Sequence, residues 1–281
     1  MSSYTFDYAE KLYDTLRNEP DTYVETGLIS GSKVGYSALT AILRMIGVVV
    51  EFDGYTLGKF RRGHDLELDI IKLLWGTPPD EGVWFETKAG TKACWQYRPK
   101  EGYRGTSVTM DLIEDMGDHY IIHEIKSATK MSWDKTAGAG YSKWVREKKG
   151  EAVIPEVKPH NAIQSALQGL VPMDKPVKEV LVHYVNADDY RIISFSINPE
   201  EYREQIDQDI NAILEAFITK KFPVYTPRWG WDKGKYNSYK DFENLTSDQI
   251  FQKMKIEYKN SLDKFMLAKV EGDNIIYQEA A

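Results

Sequence analysis

The stretch "MDLIEDMGDHYIIHEIKSATK", residues 110–130, decides how the chain is read. Two apolar runs flank the polar "EDMGDH", and Gly117 supplies the turn chemistry of a hairpin. Side chains alternate along a strand, so in the second run Glu124 and Lys126 share a face with Ile122. Asp111 then falls on the neighbouring strand, within reach of Glu124. Two carboxylates and an ammonium at one place in a half-buried sheet are costly unless something compensates them. A bound divalent cation is one such compensation.

Working outward, the remaining chain reads as alternating short runs and helices. A helix is expected over residues 4–20, and a second over Ser37 to Met45 with Ser37 as its cap. A longer helix runs from about Leu57 to Trp75 and stops at "GTPP". The runs "VWFETK", "KACWQYR", "TSVTMDLI" and "HYIIHEIK", separated by turn-like segments, predict an antiparallel meander. The lysine-rich "SATKMSWDKTAGAGYSKWVREKKGE" reads as a loop. A helix entered at Pro159, two strands in "VKEVLVHYV" and "YRIISFSI", and a helix from Pro199 follow. The aromatic "FPVYTPRWGWDKGKYNSYKDF" then leads into a mostly charged helix. Without an internal repeat or linker, the expected unit is one α/β domain over 1–281. Its central mixed sheet, the meander plus the later strands, is flanked by helices. The core covers about 37–220, with a helical segment at 1–36 and a helical extension at 221–281.

Bulk composition narrows the class. With 281 residues, 42% hydrophobic and 28% charged, the chain reads as an ordinary soluble globular protein with a sizeable core. The single Cys94 excludes an internal disulfide framework and a cysteine-held metal or iron–sulfur cluster, and it fits a reducing, cytoplasmic compartment. "MSSYTFDYAEKLYD" has neither the basic start nor the apolar centre of a secretory signal. "ALTAILRMIGVVV" is too short to span a bilayer, so no membrane contact is expected. The net charge of −7 is unevenly spread: between Lys126 and Lys158 there are eight basic residues against four acidic.

Two helices carry polar residues where core would be expected. On the 57–75 helix Phe60, Gly63, Glu67, Ile71 and Leu74 share one stripe, widened by Ile70, so Glu67 sits within an apolar face. Two readings stand: a carboxylate reaching water or an arginine at the stripe's end, or a ligand sharing a cation with Asp111 and Glu124. His64, beside the stripe, is a further ligand candidate or a structural histidine. On the later helix His160, Gln164 and Gln168 recur every four residues next to the apolar Ile163, Leu167 and Leu170. These amides are either solvated or turned toward the same site, with Gln164 the stronger candidate and Gln168 the weaker.

In order, the chain shows helical G-x-x-x-E (Gly63, Glu67), strand Glu86, an M-D hairpin to E-I-K (Asp111, Glu124, Lys126), and a helix beginning H-x-x-x-Q (His160, Gln164). This order resembles the PD-(D/E)xK nuclease superfamily, in particular its RecB-like branch and, more distantly, lambda-type exonucleases. The resemblance covers roughly residues 37–200. Met110 stands where the family name has proline, and Gln164 is followed by Gln168 where that branch often has Q-x-x-x-Y. "FPVYTPRWGWDKGKYNSYKDF" fills the place where many relatives carry an iron–sulfur cluster. Trp229, Trp231 and Tyr239 are expected to pack there instead.

The resemblance implies a restriction-endonuclease-like core and hydrolysis of DNA phosphodiesters, from the ends of single-stranded or duplex DNA, in recombination, repair or phage DNA processing. Asp111, Glu124, Glu67 and the carbonyl of Ile125 would hold Mg²⁺ or Mn²⁺, Lys126 would position water or neutralise phosphate, and Gln164 would orient water or hold a phosphate oxygen. Glu86, His64 and His160 are candidates for supporting contacts around these groups. Lys130, Lys135, Lys143 and Arg146, interleaved with Trp133, and Arg104 on the preceding loop are the candidate DNA contacts. For the lysine-rich stretch a plain solvated loop with its aromatics in the core stands as the other reading. Restriction-type endonuclease activity and a catalytically inert nucleic-acid-binding protein are the alternatives for the whole chain.

Overall fold

A computed structural model describes residues 28–48, 54–151, 153–229 and 237–278, without the side chains of 54–56. The expected helix over 4–20 and Trp231 lie outside these residues. Among the described residues the organising element is a six-stranded sheet in the order β2-β3-β5-β6-β7-β8. The strands are β2 (Trp84–Glu86), β3 (Lys92–Tyr97), β5 (Met110–Asp115), β6 (Tyr120–Ala128), β7 (Val177–Asn186) and β8 (Ile192–Ile197). Every neighbouring pair is antiparallel except β6 and β7, which run parallel. The expected central mixed sheet flanked by helices is therefore present. Gly117 turns the β5–β6 hairpin at φ 97°, and the Asp115 carboxylate accepts from its N–H. Two small sheets sit beside the large one. One joins β1 (Ile29–Ser30) to β4 (Thr106–Ser107), and the other joins β9 (Lys269–Glu271) to β10 (Asn274–Ile276).

Helices cover both faces. On one face lie α1 (Ala38–Met45), α5 (Pro159–Gly169) and α6 (Arg203–Thr219), packed on Ile113, Ile122, Val180 and Val182 in the larger core. The C-terminal α7 (Ser247–Glu257) and α8 (Lys259–Leu267) add Ile250, Met254, Leu262 and Phe265 to that core. On the other face lies α2 (Gly54–Leu74), whose Leu66, Ile70 and Ile71 meet Ala93, Trp95, Leu112, Ile125 and Val185. Ser37 precedes α1 as expected, but its hydroxyl accepts from the N–H of Thr226 and so ties α1 to the chain beyond α6.

Three expectations need correction. The buried stripe of α2 is centred on Leu66 and Ile70, which face the sheet, whereas Phe60 and Leu74 are exposed. The lysine-rich stretch is not a loop but two short helices, α3 (Lys130–Thr136) and α4 (Gly140–Lys148). The buried Asp134 carboxylate lies against Gly140, and Trp133 is buried in the main core, so tertiary contacts hold segments too short to be stable alone. The C-terminal extension is also not purely helical, since it closes with the β9–β10 hairpin.

Candidate active site

The pairing of β5 with β6 runs from Asp115 opposite Tyr120 to Leu112 opposite His123. Beyond that point the strands part. β5 keeps β3 as its partner, with Met110 opposite Tyr97, while β6 continues along β7 to Ala128 opposite Asn186. Asp111 and Glu124 stand where the fork opens. There the backbone N–H of Ile125 has lost its strand partner, and the Asp111 carboxylate accepts from it at 2.7 Å.

Glu124 is fully buried, and each of its oxygens is held. Gln164 donates to Oε1 at 2.9 Å and Gln168 to Oε2 at 2.6 Å, both from α5. Lys126, two residues along the same strand face, makes an ion pair with it. The same Gln168 amide also donates to the Thr109 carbonyl at 3.0 Å. Glu67 arrives from α2 on the opposite face and accepts from Gln96 of β3 at 2.5 Å.

Gln96 has a backbone φ of 49°, a left-handed conformation uncommon for a residue with a side chain. It breaks the strand's alternation. Trp95 belongs to the α2-side core and Tyr97 packs on the opposite core, while the Gln96 amide between them reaches Glu67.

Electrostatics of the cluster follow from three carboxylates sharing one ammonium. Burial, then the charges of Glu124 and Glu67, hold the Asp111 carboxyl well above its ordinary range. Burial also pushes Glu67 up to about 7, with Glu124 adding to the shift and the Gln96 bond and Lys126 opposing it. For Lys126 burial works against the charge, but the carboxylates of Glu124, Asp111 and Glu67 outweigh it and raise the ammonium above its usual value. Each carboxylate is turned to its own donor, and among the described residues no three acidic, histidine or cysteine groups already stand as a ready ligand set.

Of the residues expected here, Asp111, Glu124, Lys126, Glu67 and Gln164 come together, with the backbone of Ile125 among them. Gln168 joins them as fully as Gln164, and both hold the carboxylate of Glu124. Gln96 was not foreseen. Its side chain leaves the strand's alternation, and no sequence pattern marks that break.

Four expectations are overturned. Glu86 is exposed and lies in one row with Lys92, Asp115 and Tyr120 at the turn end of the sheet. That is four residues, or about 13 Å at the rise of a strand, from Asp111. His64 is exposed, and its ring stacks on Trp95 with centroids 6.0 Å apart. Trp133 is a core residue with the Arg191 guanidinium 4.3 Å over its ring, so its faces are not open to bases. Arg104 is committed to Asp207, Asp273 and Asn211, which binds the loop before β4 to α6 and the β9–β10 hairpin.

The other candidate contacts line up along α3–α4. Lys130 pairs with Asp134 at 2.6 Å, and Lys143 lies 3.8 Å from Glu147. Lys135 and Arg146 face a cavity beside His160, one helical turn before Gln164 on α5. Tyr141 and Trp144 are exposed side by side, 5.6 Å apart, with the Lys148 ammonium over the Trp144 ring. No helix among the described residues is long and apolar enough to cross a membrane.

No family model and no curated protein matches the chain. Among solved structures it is similar to SSO0001, at 11% identity and a TM-score of 0.41, over 80% of this chain and 88% of the other. It is also similar to an alkaline exonuclease, LHK-Exo from Laribacter hongkongensis, at 14% identity and a TM-score of 0.39, over 75% of this chain and 93% of that one.

Proposed function

We propose that the chain is a divalent-metal-dependent deoxyribonuclease that degrades DNA from its ends. The observation that carries this reading is the grouping of Asp111 and Glu124 where β5 and β6 part, with Lys126 paired to Glu124 and the Glu67 carboxyl close enough for its charge to act on all three. The order of those residues along the chain, with its resemblance to PD-(D/E)xK nucleases, supports it.

The donor set fits a hard cation. Carboxylate oxygens and the Ile125 carbonyl suit Mg²⁺ or Mn²⁺. Asp111, Glu124 and Glu67, with that carbonyl, would hold the ion. Bound there, it would neutralise phosphate charge and lower the pKa of its water.

The chain's own groups do the rest. Lys126 keeps its proton at neutral pH and acts as a compact cation toward a phosphate oxygen or a water, not as a base. Gln164 and Gln168 fix the plane of the Glu124 carboxylate from two sides, which is positioning rather than contact with the reacting atoms. Along the approach, Tyr141 and Trp144 offer faces to unpaired bases, and Lys143, Lys148 and Lys149 offer charge to backbone phosphates.

The test is cleavage of end-labelled linear DNA, single- and double-stranded, beside closed circles, with Mg²⁺, Mn²⁺ or EDTA. Metal-dependent shortening from the ends that spares circles is expected, with at least a hundredfold loss in Asp111→Ala and Lys126→Ala. Cut circles would replace end degradation with internal cleavage. DNA that is bound but never cut would remove the catalytic assignment.

A further inference from the structure

A cavity of about 600 Å³ opens between α3, α4 and the first turn of α5. Lys135, Arg146 and Lys158 line it, with Glu156 as the one carboxylate among the described residues on its wall. Arg228 also borders it, but its guanidinium is spent on the buried Asp209 carboxylate. Among the described residues, three cations therefore face one exposed acid. Burial, and then the charge of Lys135, hold the Lys158 ammonium below its usual range, so the cations oppose one another there. Lys158 is kept in place by a 2.8 Å bond to the Ser132 hydroxyl.

Arg146 gives a second, independent sign. One of its terminal nitrogens, Nη1, is buried and has no acceptor among the described residues. A buried donor left unpaired is unfavourable, and an anion arriving in the cavity would supply its acceptor. The rings of His160 and Trp229 form another wall, 6.3 Å apart. The N-terminus of α5, an eleven-residue helix, adds its positive end to the same space.

Position sets the scale. His160 at the cavity is one turn before Gln164, which holds Glu124. Four residues of helix rise about 6 Å, and a nucleic-acid strand carries a phosphate about every 3.4 Å along a duplex axis. We propose that this cavity holds one phosphate group of the DNA strand, one or two nucleotides from the bond that is cut. The assignment rests on the nuclease reading for its ligand.

The test is equilibrium binding of a labelled twelve-residue oligothymidylate to the full chain in EDTA, where no cutting occurs, across a range of salt. For the variant carrying both Lys135→Gln and Arg146→Gln, affinity at 0.1 M salt is expected to fall about tenfold or more. The slope of log affinity against log salt should drop by about 0.7, the share of one phosphate of a single strand. Arg146→Lys, which keeps the charge, should retain the slope, and Lys259→Gln on the remote α8 should change neither quantity. Thermal melting checks that each variant is folded.

A 5′-phosphorylated and a 5′-hydroxyl oligonucleotide distinguish the source of the phosphate. Loss confined to the first assigns the cavity to a strand end, and equal loss in both assigns it to an internal phosphate. Unchanged slope and affinity in the double variant, or equal loss in Lys259→Gln, would overturn the proposal while wild-type cleavage with Mg²⁺ leaves the nuclease reading standing. A wild type that neither binds nor cuts would remove both.

Discussion

At the scale of single residues, the site depends on a strand that breaks its own rule. Gln96 reaches Glu67 only because its backbone is left-handed, at a cost of about 1–2 kcal/mol for a residue with a Cβ. Gln96→Gly and Gln96→Ala remove the same amide, yet they should differ in stability. In an ordinary strand Gly is the worse of the two by about 0.5–1 kcal/mol. At this position Gly should be the better by about 1 kcal/mol, read as denaturant midpoints, while both lose activity; Ala equal or superior to Gly would contradict the strained backbone. A second residue-scale expectation concerns pH. His183 stacks on His123 and bonds it at 3.0 Å, and burial, then His123, pushes it down to about 4. The unfolded chain therefore takes up this proton near pH 6.5 and the folded one only near 4, so stability is lost as pH falls through that window. Glu114, held down to about 2 chiefly by the His123 ring 3.3 Å from it, adds a further loss between about 4.5 and 2. Melting temperature should fall less between pH 6.5 and 4 in His183→Gln than in wild type, and equal slopes would reject the assignment. Asp111, Glu124 and Lys126 were legible in the sequence because alternation and a hairpin turn fix their faces. Gln96 was not, since one reversed φ moves a side chain to the other face without leaving a trace in composition.

At the scale of elements, α5 is what brings both glutamines to Glu124, and its seating has little slack. A Cβ added at Gly169 would lie 2.4 Å from Pro199 Cγ and 2.7 Å from Val180 Cγ2. Helix propensity alone favours Ala over Gly by about 1 kcal/mol, whereas overpacking costs about 1–3. Gly169→Ala should therefore be net destabilising, by up to about 2 kcal/mol, and should lower kcat by tilting Gln164 and Gln168 away from Glu124. A stabilised variant would show that α5 can shift without harm. The helices of the lysine-rich stretch escaped sequence reading for a related reason. α3 and α4 hold seven and nine residues, too few for a period to declare itself, and packing of Trp133 secures them more than local preference does. The long α2 was legible as a helix but not in its facing. Only contact with the sheet reveals that Leu66, not Phe60, is buried.

At the scale of the whole molecule, a bound ion would act as a clasp between β5, β6 and α2, which carry the three carboxylates. At a hundred times its Kd, a ligand specific to the native state adds about 2.7 kcal/mol. For a chain of this size that corresponds to a rise in Tm of roughly 5–10 °C with Mg²⁺ or Mn²⁺. Asp111→Asn should abolish the rise and EDTA should reverse it; an equal rise in the variant would place the ion elsewhere. The mixed sheet was expected, and its meander was legible because strands without an intervening helix pair with their neighbours; no pattern marked where the parallel step falls. The parallel step between β6 and β7 also sets an order of events in time. The β5–β6 hairpin closes across a short turn, but the partner of Glu124 on β7 is Val182, roughly 60 residues further along the chain. At about 5–20 residues per second on a ribosome, β6 waits several seconds as an open edge before β7 exists to cover it. The segment made in that interval is the lysine-rich one, so the nascent edge emerges beside like charges that resist pairing with a neighbouring chain.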